Sequence, residues 1–171
     1  MHTLKLDRYH CIEDTDEGGF IGPAFLTCVA DMASRAVRAT LTPRAHWKHK
    51  SDKAEVWAVG QLVRSGPAPA VDQLFLLSTM LEVAPPDDLC GIESALLRGM
   101  WTQLERRPPP QPQEIAAALV HPLLIALAPA LAGNSPPPVR LAPVQGRAGV
   151  LPPLSFPGRT GIYKVWYRES A

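Results

Sequence analysis

The chain has 171 residues, 46% hydrophobic and 19% charged, with a formal net charge of +1. That length fits one domain, its composition excludes wholesale disorder, and its charge excludes a partner chosen by whole-molecule electrostatics. One value stands out: 19 prolines, about 11% of the chain against an average of about 5%.

In chain order, residues Leu4 to Ile12 come first. Leu4, Leu6, Arg8 and His10 alternate with Lys5, Asp7, Tyr9 and Cys11, which predicts a short strand. Acidic residues and Gly18-Gly19 then make a turn, and Phe20 to Val29 predicts a second strand after Pro23. Glu55 to Val63 is apolar on both faces, which predicts a strand covered on both sides. Gln73 to Val83 is almost wholly apolar and stops at Pro85-Pro86, so a buried strand is expected, with a helix as the rival.

Helical signals follow. Asp87 or Asp88 can cap a helix over Leu89 to Arg106, in which Ile92, Leu96, Met100 and Leu104 form one apolar stripe. A second helix starts near Pro112 and includes Ile115 to Leu127. Pro122 should kink or break it, and Pro129 should kink or end it. Thirteen of the 19 prolines fall in residues 108–171, where they predict extended connections. Thr160 to Arg168 closes the chain with aromatic and β-branched residues, the clearest strand of all. The expectation is α+β: a mostly antiparallel β-sandwich with a helical insertion and a C-terminal closing strand. It forms a single domain, 1–171, β-rich over 1–84, helical over 85–133, proline-rich with a final strand over 134–171.

Charge is segregated. Residues 1–34 carry two basic and six acidic side chains, and 35–64 carry seven and two. Residues 65–105 carry one and six, and 106–171 carry seven and two. Such blocks fit complementary faces or a polar interface. The run Arg44 to Lys53 interleaves Arg44, Lys48, Lys50 and Lys53 with Trp47, His46 and His49. It can grip anions, but a net charge of +1 argues against a dedicated nucleic-acid binder. Arg44, Trp47 and Lys48 are the candidate partner-binding residues, in a loop between strands. Tyr163 and Trp166 are expected to be structural aromatics.

Glu13, Asp14, Asp16 and Glu17 could offer oxygens to calcium, but the EF-hand spacing is absent and a solvated turn is the simpler expectation. The run Ile115 to Ala132 has only His121 as a polar side chain. Two internal prolines favour a broken helix buried on the sheet over a membrane span. Cys11, Cys28 and Cys90 sit at unrelated spacings and predict buried, reduced thiols. The N-terminal stretch shows no basic region followed by an apolar run, so a cytoplasmic chain is expected, signal-independent export being the other open route.

Two stretches carry a family resemblance. Cys11-Ile12-Glu13-Asp14-Thr15-Asp16-Glu17 and Gly161-Ile162-Tyr163-Lys164-Val165-Trp166-Tyr167 resemble an N-terminal motif and the last strand of bacterial C2-like β-sandwich domains, found with secreted or toxin-related proteins. The resemblance implies a sandwich. Where that family has Gly-Ser-Asp-Glu-Pro-Tyr, this chain has Gly19-Phe20-Ile21-Gly22-Pro23-Ala24-Phe25, which lacks the carboxylates of a calcium site.

There is no Gly-x-Ser-x-Gly, no HExxH and no Walker loop. No cofactor, metal or catalytic residue is expected. The leading expectation is a non-enzymatic protein-interaction domain in a bacterial secretion, toxin or phage-like assembly, with another protein as partner. The alternatives are a membrane-active protein using 115–132 and an enzyme with an unrecognised site.

Overall fold

A computed structural model of the chain describes residues 1–12, 23–42, 56–82, 85–158 and 161–171. Two antiparallel sheets lie face to face, and a helical layer covers the outer face of one of them. The first sheet comprises β1 (His2–Cys11), β4 (Val56–Gly66), β7 (Gly149–Val150), β8 (Leu154–Pro157) and β9 (Ile162–Ser170). Its order is β4-β1-β9, with β7 and β8 paired to the far edge of β9. The second sheet comprises β2 (Ala24–Asp31), β3 (Ala36–Thr42), β5 (Leu74–Leu81) and β6 (Val139–Pro143), in the order β3-β2-β5-β6. The helices are α1 (Leu89–Leu104), α2 (Pro112–Ala118) and α3 (Val120–Leu131). The expected α+β sandwich is therefore the architecture of the chain.

The second sheet is the middle layer, which explains its composition. On β2, Phe25 and Val29 point into the inter-sheet core, while Leu26, Cys28 and Ala30 point under the helices. β5 divides the same way, with Leu74, Leu76 and Met80 against Phe75, Leu77 and Leu81. A strand covered on both faces has no reason to alternate, so β5 reads as one apolar run and is a strand rather than a helix. From the helical side, Ile92, Leu96 and Met100 of α1 meet Ile115, Leu119, Leu123, Leu127 and Leu131. Asp88 caps α1 by accepting from the Gly91 amide at 2.7 Å. The proline-containing run is broken, but not at Pro122 as expected, and Pro129 lies inside α3, which runs on to Leu131. The break falls at Leu119, and Pro122 sits in the first turn of α3, where a missing amide proton costs nothing. α1 can approach that corner because Gly99 carries no side chain: a Cβ there would lie 3.0 Å from Pro122 Cγ.

Three further expectations need correction. Glu55 to Val63 is not covered on both sides: β4 is the edge of the first sheet, and Val56 and Leu62 are 55% and 51% exposed on its outer face. Cys90 is exposed on α1, whereas Cys11 and Cys28 are buried as expected. The proline-rich approach to the last strand is not only a connection. It supplies β6, β7 and β8, all short and all at sheet edges, where a residue without an amide proton is tolerated. β9 itself lies between β1 and the β7–β8 edge, inside its sheet.

β1 contains the detail that matters most for the surface. Against β9, Leu6 pairs with Tyr167 and Arg8 with Trp166, so Asp7 is one residue too many. Against β4, Asp7 faces Val59 and Gly60, and Gly60 takes φ +64°, a conformation favouring glycine. The bulge shifts the alternation by one: Leu4 and Leu6 point inward before it, Tyr9 and Cys11 after it. Asp7 and Arg8 consequently meet the same exposed neighbourhood on the outer face.

Candidate partner-binding face

Among the described residues, no helix covers the outer face of the first sheet. β1 presents Lys5, Asp7, Arg8 and His10 there, and β9 presents Ile162, Lys164, Trp166 and Arg168. Val56 and Leu62 of β4 flank this strip on one side, and Val150 of β7 flanks it on the other; all three are exposed. Among the described residues, the face carries four permanent cations against one carboxylate, interleaved with aliphatic side chains and one tryptophan.

Its geometry follows from strand register. Arg168 donates to both oxygens of Asp7, from Nε at 3.0 Å and from Nη2 at 3.3 Å. Arg8 approaches the same carboxylate at 3.5 Å. The Arg8 guanidinium also lies over the Trp166 ring, 5.2 Å from its centroid. These contacts are solvent-exposed, so each contributes little to folding. Register also sets Lys5 directly opposite Arg168. Like charges facing each other across strands oppose sheet formation.

The other polar clusters are buried or half-buried. His2 and Glu169 are 1% and 3% exposed, and His2 Nε2 lies 2.9 Å from Glu169 Oε2. Arg64 Nη1 donates to His2 Nδ1 at 3.3 Å, which makes Nδ1 the acceptor and Nε2–H the donor to Glu169. Glu169 also accepts from the amides of Gln145 and Gly146. Arg64 further donates to Asp31 at 3.3 Å, on the floor of an open cleft of about 500 Å³. The Asp31 carboxylate also takes the Ala33 and Ser34 amides, so this network joins five segments of the fold. Between the sheets, Tyr167 Oη lies 2.8 Å from both Thr27 Oγ1 and Ser78 Oγ. Burial pushes the Tyr167 hydroxyl up to about 12. It does the same to Cys28, where Glu93 adds to the shift. A buried neutral thiol of that kind is not a nucleophile.

The sequence-derived candidates Arg44, Trp47 and Lys48 lie outside the described residues, as do His46, His49 and the acidic turn 13–17. Of the two expected structural aromatics, Tyr163 is buried in the inter-sheet core, but Trp166 belongs to the outer face. Among the described residues, no group of three or more His, Cys, Asp or Glu side chains could hold a metal ion. The residues of the face that sequence reasoning missed are Lys5, Arg8, Lys164 and Arg168. No local signal marks them: β1 and β9 stand about 160 positions apart in the chain, and only the pairing brings them together. The class defined at this point is a three-layer sandwich of two antiparallel sheets and a helical layer, with one open basic sheet face. Comparison with family models, with curated proteins and with solved structures finds no match.

Proposed function

We propose that the chain is a non-enzymatic protein-interaction domain that docks another protein on the outer face of its first sheet. The supporting observation is the composition of that face. Arginine and tryptophan are enriched at the centres of protein interfaces, and here both sit among exposed Val56, Leu62, Val150 and Ile162. The rigid strands beneath hold the surface in one shape, which lowers the entropy lost on binding. Photo-crosslinkers placed at Leu62 and Lys164, with a control at Ile125 on α3, test the reading in the native host. Adducts with another protein from the first two positions and not from Ile125 are expected. Adducts from Ile125 alone, or none from the sheet, would overturn it.

One observation favours a second reading. Pro112–Leu131 is long and apolar enough to cross a membrane by length and composition, and 33% of it is buried. Membrane use would require Ile115, Leu119, Leu123 and Leu127 to leave the core they fill. Flotation with liposomes separates the two readings, since a docking domain stays in the unbound fraction.

A further inference from the structure

We infer that the occupant of the open face is an acidic segment of the partner protein, its carboxylates seated among Lys5, Arg8, Lys164 and Arg168. This rests on the docking reading above and adds the chemistry of the partner. Charge complementarity is the first reason. Among the described residues the face carries four cations and a single carboxylate, although the whole chain nets only +1. The excess is therefore local, and such fields choose partners and speed encounter more than they raise affinity.

The second reason is how the cations are held. Lys5 faces Arg168 directly across one strand boundary, and Arg8 and Lys164 lie on the same face. Among the described residues, Asp7 is the carboxylate that relieves this crowding, and it does so at the centre of the strip. Asp7 also shows that the face grips carboxylates: Arg168 reads both of its oxygens, the fork geometry that suits a planar anion. A guanidinium has five N–H donors, and Arg168 commits two of them to Asp7. The remaining donors can serve a second carboxylate beside it.

Nucleic acid fits less well. Single strands are bound by stacking bases on open aromatic faces. Arg8 already lies over Trp166, and Asp7 puts a negative charge where a phosphate would pass. The flanking Val56, Leu62 and Val150 match the apolar side chains of a polypeptide, not a sugar-phosphate chain.

The test uses three labelled probes with the full chain: deca-glutamate, deca-lysine and single-stranded deca-thymidine. Deca-glutamate is expected to bind and to move the amide resonances of Lys5, Arg8, Lys164 and Arg168 while leaving those of α1 in place. Binding should weaken steeply with added salt. Lys5→Glu with Lys164→Glu should weaken it by about tenfold or more without lowering thermal stability, because Lys5 is exposed, Lys164 is half-buried, and Lys5→Glu sets a carboxylate opposite Arg168. No binding of deca-glutamate, or shifts confined to the helices, would overturn the inference. Tighter binding of deca-thymidine would overturn it in favour of a phosphate reader. Crosslinks from Leu62 that survive Lys164→Glu, with deca-glutamate unbound, would leave the docking face standing and remove its acidic partner.

Discussion

The two sheets share one core and differ in what covers their other face. The second sheet is closed by Ile92, Leu96, Leu119, Leu123 and their neighbours, and every residue of β5 is buried. The first sheet is open, and its strands alternate between buried and exposed. A residue of β2 or β5 thus answers to packing on both sides, whereas every second residue of β1 and β9 is released from it. The cations, Trp166 and the exposed aliphatics collect where that freedom exists. On the proposed docking reading, stability and recognition divide between layers of this fold, and the strands of the first sheet contribute to both.

Substitutions can break that separation, and their expected effects fall in order. Phe75→Ala, in the core between the second sheet and the helices, should cost about 4 kcal/mol in urea unfolding. Retention of near-native stability would show that the helical layer closes the cavity. Glu169→Ala removes the acceptor of His2 and of two loop amides, leaving buried donors unpaired, and should cost about 3 kcal/mol. A loss under about 1 kcal/mol would mean that solvent replaces the carboxylate.

Alkaline pH probes the shared core. Tyr9 and Tyr167 ordinarily ionise near 10.0 and Cys28 near 9.0, and burial pushes all three up to about 12. The unfolded chain releases these protons first, so stability is full below about pH 9 and falls as pH rises from there through 12. Tyr167→Phe should remove on the order of 2–3 kcal/mol of that alkaline loss. At neutral pH the same variant should cost about 1–2 kcal/mol, because Thr27 and Ser78 keep only each other. An unchanged alkaline profile would show that the hydroxyl reaches solvent. Leu62→Ser, on the open face, should shift stability by no more than about 0.5 kcal/mol while weakening partner capture. A larger destabilisation would give the outer face a folding role that its exposure denies.

Much of the closed half of the molecule was legible in the sequence. The stripe Ile92, Leu96 and Met100, the cap at Asp88 and the apolar run of β5 are local signals, and each produced its element. β9 was readable for the same reason. β3 was not: Ala36–Thr42 is a mixed stretch whose strand state depends on pairing with β2. β7 and β8 are too short to show periodicity among prolines. The faces of β1 were misassigned beyond Leu6, because strict alternation places Tyr9 opposite Leu6 and the extra residue at Asp7 reverses that. The open face was illegible on other grounds. Its cations are scattered singly along two strands from the two ends of the chain, whereas sequence reading weights contiguous runs such as Arg44 to Lys53.

The position of β9 has a consequence for how the chain comes to be folded. Residues 24–143 hold the four strands of the second sheet and the three helices seen among the described residues, so that half can assemble while synthesis continues. β1 emerges first, yet one of its two neighbours arrives last, with Ile162–Ser170. Until then Leu4, Leu6 and Tyr9 lack the Tyr163, Val165 and Tyr167 side chains that bury them in the finished core. Pairing over so long a separation is slow. The nascent molecule passes through a stage in which its earliest strand waits with one edge open, and a ribosome stalled short of Ile162 would leave a chain that can join its neighbours through that edge.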